Sequence, residues 1–472
     1  MKAGETGRLV AALARRLRAE VRETHISWVL LTPEFAYKLK KPLRLRFVDY
    51  ATEEKRRHFC EEEVRLNGRL APGLYLGVAR VTGSLAAPDL DGAGPTLAHA
   101  VRMRRFPPGA LFSERAAQGL LDAGAVDRLA AVLAAFHAAA PACAAGGPDL
   151  RERALAALAG AAELLPREAL AGWIAREDVA VQPLWQARAA AGHVREGHGD
   201  LHLANLLALG GEVMAFDCIE FDPALRCIDV IEDIAFPVMD LVAHGLPRLA
   251  WRLLDGWLER TGEHEGVPGL RLCLAYRALV RAMACQLRQP QGAEARRYAA
   301  EALRWTTPAQ PRLVITHGLP GSGKTFASQQ LLERTGAIRL RSDVERKRLH
   351  GLAPLADSRA AGRDLYTPES TQQTYARLFL LARRLLCAGW PVVLDAAFLR
   401  RVEREQAHAL AAELQVPFAI LDCDAPPEIL RQRLAARTGD ASEADLRVLE
   451  LLRSGREPLQ EDERAWVQPL PE

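Results

Sequence analysis

Gly318-Leu319-Pro320-Gly321-Ser322-Gly323-Lys324-Thr325 follows the apolar run Leu313-Val314-Ile315-Thr316, and a helical pattern opens at Phe326. Strand, glycine-rich loop and helix at the spacing GxxxxGK[ST] form an arrangement that cradles the phosphates of a nucleotide. Glycines let the backbone turn tightly and aim successive N–H groups at phosphate oxygens. Lys324 adds a point charge near the β- and γ-phosphates, and the Thr325 hydroxyl suits Mg²⁺. Gly318, Gly321, Ser322, Gly323, Lys324 and Thr325 are therefore the expected nucleotide-binding residues, with Lys324 also counted as catalytic and Thr325 as a metal ligand. ATP and Mg²⁺ are the expected cofactors.

Working outward, a second apolar run, Pro391-Val392-Val393-Leu394, ends in Asp395, and a carboxylate at the end of such a strand is placed to hold Mg²⁺. Between the two lies Arg339-Leu340-Arg341-Ser342-Asp343, after another short strand. Strands and helices alternate from about 312 to Leu452, which predicts an α/β fold with a parallel sheet. Over roughly 312–455 the chain resembles small P-loop kinases of the polynucleotide-kinase, gluconate-kinase and zeta-toxin group. That resemblance implies that Asp343 accepts the proton of the attacking hydroxyl. It extends to Glu428–Arg437, where Arg433 and Arg437 share a helix face at i,i+4 and would clamp the transferring phosphoryl group as a lid. Asp343, Lys324 and Arg437 are thus the catalytic candidates of this half, and Arg433 a nucleotide contact.

In the first half, His198-Gly199-Asp200-Leu201-His202-Leu203-Ala204-Asn205 precedes an apolar hairpin, Leu206–Leu209 and Val213–Phe216, that ends in Asp217. This pattern resembles the catalytic and metal-binding loops of the aminoglycoside-phosphotransferase and choline-kinase branch of the protein-kinase-like fold. The resemblance implies Asp200 as the base or orienter of the substrate hydroxyl, and Asn205 and Asp217 as oxygen ligands of Mg²⁺. Ile26–Leu31 and Phe35–Leu39 read as a hairpin about Thr32-Pro33-Glu34. The resemblance implies that Lys38 sits where such folds place the phosphate-binding lysine, with Lys40 on the same strand face as its competitor. Thr52–Leu70 runs at helical spacing, and Glu63, with Glu62 as runner-up, is the lysine's expected partner. Val101-Arg102-Met103 resembles the segment whose backbone meets adenine. Asp233 is expected to brace the catalytic loop through its amides, and His137 to be a packed helix residue. There is no glycine-rich loop at Thr32-Pro33-Glu34, and His-Gly-Asp stands where protein kinases have His-Arg-Asp; both departures point to a small-molecule acceptor.

At 472 residues the chain is too long for a single core. The proline-bearing run 306–311 reads as a linker between a kinase-like domain over 1–305, with lobes at about 1–103 and 104–305, and a P-loop domain over 312–472. Fold class is therefore an α+β bilobal protein-kinase-like domain followed by an α/β P-loop domain. The net charge of +3 selects no partner. Eight scattered cysteines without a CxxC pair suggest reduced thiols and a cytoplasmic location. The stretch Leu9 to Val21, broken by three arginines, reads as an amphipathic helix, and no segment is apolar enough for a membrane partner. The whole resembles bacterial fusions of an aminoglycoside-phosphotransferase-like kinase with a P-loop ATP-binding kinase, implying a bifunctional ATP-dependent phosphotransferase with hydroxyl acceptors. Two rival readings stand beside it: a regulatory nucleotide-binding module fused to one active kinase, and a nucleic-acid 5′-hydroxyl kinase in the second half. In the latter, Arg339, Arg341, Arg346, Lys347 and Arg348 would be phosphate contacts.

Overall fold

The computed structural model describes residues 3–45, 48–143, 149–307, 310–358, 365–436 and 441–470. The chain divides into two compact units, 1–153 with 185–240, and 154–184 with 241–472.

In the first unit, helix α1 (Ala3–Leu17) stops short of the stretch expected to run to Val21. Arg18 takes a left-handed φ of 51°, and the chain turns into β1 (Glu20–Glu23). β2 (Ser27–Leu31) and β3 (Phe35–Lys40) form the expected hairpin, closed by the Thr32 hydroxyl, which donates to the Phe35 carbonyl and accepts from the Phe35 amide. α2 (Glu53–Asn67) is capped by Thr52, whose side chain accepts from the Lys55 amide; such a cap contributes about 1 kcal/mol. β4 (Tyr75–Gly83), β5 (Pro88–Leu90) and β6 (Thr96–Arg104) complete an antiparallel sheet in the order β1-β2-β3-β6-β4-β5. Side chains alternate along a strand. β3 therefore commits Tyr37 and Leu39 to a core with Leu9 and Leu13 of α1, and turns Lys38 and Lys40 to the opposite face.

Further along come α3 (Phe112–Ala117), α4 (Ala123–Ala139) and β7 (Val194–Glu196), while α5 (Leu150–Gly160) and α6 (Arg167–Ala190), between α4 and β7 in sequence, fall mostly in the second unit. The hairpin β8 (Leu206–Leu209) and β9 (Glu212–Ala215) follows, then β10 (Cys227–Asp229), paired antiparallel with β7, and α7 (Val230–Ala243). A disulfide joins Cys143 to Cys227, which corrects the expectation that all eight cysteines are reduced. Ala142 bridges to Arg195 of β7 and Cys227 pairs with Glu196. The sheet thus brings together two residues 84 apart in sequence, a proximity that cysteine spacing does not reveal.

In the second unit, α8 (Pro247–Thr261), α9 (Leu270–Arg288) and α10 (Ala293–Arg304) precede a parallel sheet in the order β12-β13-β11-β14-β15. Its elements are β11 (Leu313–His317), α11 (Lys324–Thr335), β12 (Ile338–Arg341), α12 (Ser342–Leu349), α13 (Pro368–Cys387), β13 (Val392–Asp395), α14 (Arg401–Glu413), β14 (Phe418–Asp422), α15 (Pro427–Ala435), α16 (Leu446–Ser454) and β15 (Val467–Gln468). β11 and β13 are buried along their whole length, as near-continuous apolar strands are when helices cover both faces. α11 opens at Lys324, two residues before the expected Phe326, because Gly323 takes a φ of 102° that turns the loop straight into the helix.

Arg339 and Arg341 lie within β12 rather than after it, and α8 packs on this strand and on α11. Trp251 of α8 meets Gly336, Trp305 and Trp390. The compact units consequently run differently from the division read at 306–311, of which 308–309 lie outside the described residues. The chain combines an α+β unit built on an antiparallel sheet with an α/β unit built on a parallel sheet, whose glycine-rich loop leads from β11 into α11. No helix among the described residues is long and apolar enough to cross a membrane.

Candidate active sites

In the first unit the two lysines of β3 reach one carboxylate. Lys38 Nζ donates to Glu63 Oε1 at 2.9 Å, and Lys40 Nζ to Glu63 Oε2 at 2.7 Å. Glu62, the runner-up, pairs instead with Arg65. The two lysines differ in what else they meet. Lys38 donates to Asp217 Oδ1 at 2.5 Å, whereas Lys40 is enclosed by Glu220 and by the Tyr50 hydroxyl, 3.4 Å away. Tyr50 donates to Glu220 Oε1 at 2.5 Å. Burial works against both ammonium charges, but Asp217 and Glu63 for Lys38, and Glu220 and Glu63 for Lys40, outweigh it and raise both above the ordinary lysine range. Lys38 is thus the lysine that faces the candidate metal ligand, and Lys40 is buried structure.

Asp217 follows β9 with a left-handed φ of 62°, a conformation that costs a non-glycine residue about 1 kcal/mol or more. Its amide donates to the Tyr75 hydroxyl, and its side chain stays partly exposed. Burial opposes ionisation of Asp217, yet the ammonium of Lys38 holds its carboxyl below the usual range. Asn205 Nδ2 donates to the Asp200 carbonyl at 2.9 Å and to Asp200 Oδ2 at 3.1 Å, which draws the candidate base and metal ligand together. Gly199, at φ 84°, is required here: a Cβ would stand 2.7 Å from the Leu225 carbonyl oxygen.

Asp233 on α7 accepts from the amides of His198 and Gly199 at 2.8 and 2.9 Å and meets His137 Nε2 at 3.2 Å. The bracing expected of Asp233 is realised, and His137 is a packed helix residue that joins it. Burial pushes the Asp233 carboxyl up, but His137 and the His198 amide prevail and hold it well below the carboxylate range. Met103 is next to last in β6, paired with Ala36 and Tyr75, and packs with Phe106 and Phe216 on an apolar cluster.

In the second unit the phosphate loop lines a cavity of about 1960 Å³ together with Asp343, Asp395 and Arg433. A Cβ on Gly318, at φ 144°, would collide with the Cys423 carbonyl oxygen. Lys324 Nζ donates to the Gly318 and Leu319 carbonyls at 2.9 Å each. The buried Ser322 hydroxyl has no partner among the described residues, which fits a loop shaped for an anionic guest. Arg433 Nη1 donates to the Gly321 carbonyl at 3.1 Å; Arg437 lies outside the described residues. Asp343 is the second residue of α12 and pairs with Arg346 at 2.9 Å.

Thr316 Oγ1 donates to the Ala396 carbonyl at 2.7 Å and accepts from its amide, fixing the chain just beyond Asp395. Asp395 Oδ2 accepts from Ser328 Oγ at 3.2 Å. Among the described residues no group of three or more His, Cys, Asp or Glu forms a metal cage. Mg²⁺ commonly uses only one or two protein oxygens, with the rest from nucleotide phosphate and water, and the oxygen donors that would serve it are Asn205 and Asp217 in one centre, Thr325 and Asp395 in the other.

The five basic residues near Asp343 all have internal partners. Arg339 donates to Asp255 and Glu259 of α8, Arg341 to Glu259, Arg346 to Asp343, Lys347 pairs with Glu443, and Arg348 with Glu345. Burial pushes Asp255 up to about 6 against the pull of Arg339. Sequence reasoning missed Lys40's separate role, along with Glu220, Tyr50, Asp255 and Glu259. The two-residue spacing of Lys38 and Lys40 was a signal for the first; the others carry none.

The family model described as an AAA domain matches residues 313–459. "Uncharacterized protein Rv2004c" of Mycobacterium tuberculosis (strain ATCC 25618 / H37Rv) is 30% identical over 447 residues, covering 90% of this chain and 87% of its own. "Uncharacterized protein Mb2027c" of Mycobacterium bovis (strain ATCC BAA-935 / AF2122/97) matches equally. Among solved structures, a choline/ethanolamine kinase family protein from Mesorhizobium loti aligns with 64% of this chain and 93% of its own at 14% identity and TM-score 0.38. A gluconokinase from Sinorhizobium meliloti 1021 aligns with 35% of this chain and 87% of its own at 18% identity and TM-score 0.25.

Proposed function

The chain belongs to the same family as these mycobacterial proteins, which it matches over most of their length, and from that premise we propose that it is a bifunctional ATP-dependent phosphotransferase with small-molecule hydroxyl acceptors. The observation that carries the reading is the convergence of chemistry at two places. Lys38, Glu63 and Asp217 meet in one unit, where Asn205 holds Asp200; the phosphate loop, Asp343 and Asp395 line one cavity in the other.

In each site a carboxylate, Asp200 or Asp343, takes the proton of the acceptor hydroxyl as its oxygen bonds to the γ-phosphorus. The bond from that phosphorus to the bridging oxygen of ADP breaks in the same transfer. Lys38 in one site and Lys324 in the other place positive charge against the phosphates of ATP. Mg²⁺, which Asn205 and Asp217 would hold in one site and Thr325 and Asp395 in the other, would supply the remaining neutralisation of phosphate charge. A small acceptor is favoured over a nucleic-acid end because Arg339, Arg341, Arg346, Lys347 and Arg348 are ion-paired within the protein, and phosphate-backbone binding needs cations free to release counterions.

The test uses the full chain as wild type, Asp200→Asn and Lys324→Ala, with ATP labelled in the γ-phosphate. Sugars, aminoglycosides, nucleosides and 5′-hydroxyl oligonucleotides serve as acceptors, and transfer of label is followed rather than ADP alone. Asp200→Asn should cut transfer by the first site about 10²-fold or more while ATP still binds, and Lys324→Ala should silence the second. Transfer unaffected by either substitution overturns the proposal. Labelled oligonucleotide that disappears with Lys324→Ala would instead assign the second site a nucleic-acid acceptor.

A further inference from the structure

α8 lies outside residues 313–459, yet two of its carboxylates enter the polar network around the phosphate loop. Asp255 and Glu259 are one turn apart, so both face β12. There they meet two guanidinium groups that β12, with its two-residue period, also puts on one face. Arg339 lays Nε and Nη2 on the two Asp255 oxygens at 3.2 and 2.6 Å, and Nη2 also donates to Glu259 at 3.0 Å. Nη1 of Arg339 turns inward, to the Thr325 carbonyl and to Ser328 Oγ, each at 3.3 Å. Ser328 in turn donates to Asp395 Oδ2. Arg341 Nη1 donates to Glu259 at 3.3 Å, while its Nε stays 3.6 Å from Asp395 Oδ2.

We propose that Asp255 and Glu259 are positioning residues for the Mg²⁺ centre of the P-loop site, holding Arg339 and Arg341 so that Asp395 keeps its charge for the metal. This rests on reading that site as a Mg²⁺-dependent kinase centre.

The charges decide the direction of the effect. The two carboxylates of α8 draw the two guanidinium groups to their own side, so that Arg341 approaches Asp395 only as a long ion pair of 3.6 Å. Removing the Glu259 carboxylate takes away the pull that holds Arg341 back, and the guanidinium, already 3.6 Å from Asp395 Oδ2, shortens that ion pair. A carboxylate so neutralised is a poorer ligand for a divalent ion, and disturbing such outer partners commonly costs about 10- to 100-fold in metal affinity. Arg339 acts on the other ligand: clamped by Asp255, it fixes the Thr325 carbonyl and hence the first turn of α11. The P-loop site is therefore completed by a helix that precedes the segment 306–311.

The test measures binding of a fluorescent ADP analogue to the full chain as Mg²⁺ is titrated, scoring the part of the signal that Lys324→Ala abolishes. Glu259→Gln should raise the Mg²⁺ concentration for half-maximal enhancement about tenfold and leave Mg²⁺-free binding unchanged. Adding Arg341→Gln to Glu259→Gln should restore the parent value to within about twofold, because the competing cation is gone. Glu259→Gln is the deciding variant because this side chain is part-exposed and its loss tolerable; Asp255→Asn, at a buried position, is the second variant and should shift the same titration. A Glu259→Gln titration that matches the parent overturns the inference, as does a shift that persists without Arg341. If Lys324→Ala removes no binding at all, it is the kinase reading of the site that fails instead.

Discussion

Asp233→Asn should loosen the loop that carries Asp200, the proposed base, without touching a reacting atom. The Asp233 carboxylate receives three donors: the His198 amide and His137 Nε2 on one oxygen, and the Gly199 amide on the other. An asparagine keeps one acceptor and turns an NH₂ group against one of these buried donors. Hydrogen bonds to charged groups contribute about 1.5–3 kcal/mol, and a buried donor left unpaired costs about 1–3 kcal/mol. The net local loss is then about 2–4 kcal/mol, or roughly 30- to 10³-fold in the opening equilibrium at 1.36 kcal/mol per decade. In a chain of two units a single unfolding free energy is not well defined, so the assay is local: amide exchange by mass spectrometry over 194–205 of the full chain. Peptides bearing His198 and Gly199 should exchange faster by that factor. The folded carboxyl titrates below its unfolded value, so its contribution is present above about pH 4 and is lost as pH falls through the folded value. Wild type and variant should therefore differ by a constant factor from neutral to mildly acidic pH and converge only in strong acid. Unchanged exchange in both Asp233→Asn and Asp233→Ala would refute the reasoning.

The two β3 lysines should separate function from stability. Lys38→Ala should weaken nucleotide binding in the first unit with little change in thermal midpoint, while Lys40→Met strands Glu220 and Tyr50, a loss of about 3–5 kcal/mol locally, as breaking a buried pair is, and should lower the midpoint of the thermal transition that reports the first unit. Gly318→Ala should abolish the Lys324-dependent share of nucleotide binding, because the added methyl meets the Cys423 carbonyl at a φ closed to alanine; calorimetric titration against wild type decides it. His198 is buried and its pKa lowered by that burial. The unfolded chain therefore binds a proton that the folded loop refuses, and exchange protection over 194–205 should begin to fall as pH drops below about 6.5.

The parts of the fold that were legible in the sequence are those where local chemistry and long-range geometry coincide. β11, its loop and Asp395 could be read because a glycine-rich turn between an apolar strand and a helix serves few purposes besides holding phosphate. β3 and α2 could be read from period 2 and period 3.6. The choice between Lys38 and Lys40 could not, since both satisfy the period, and the difference is made by Asp217 and Glu220, about 180 residues away. Asp255 and Glu259 were hidden for the same reason: on α8 they are two carboxylates at helical spacing, and their meaning comes from β12, some 80 residues later. Arg339 and Arg341 looked like free basic residues because sequence records a charge and omits its partner. The Cys143–Cys227 pair escaped because strand pairing created it.

The spacing of the lysines on β3 has a consequence for how this strand tolerates error. A slip of one residue against β2 and β6 would throw both ammonium groups into the apolar core and be rejected outright. A slip of two would hand Lys40 the place of Lys38, opposite Val29 and Val101, and the chemistry on that face would look almost intact. The misregistered strand would be a near-perfect forgery. What exposes it is Tyr50 and Glu220, cut to receive a lysine at the far end of the strand and left with none. The second lysine thus acts as a proofreading mark: it certifies that the first has arrived at the right address.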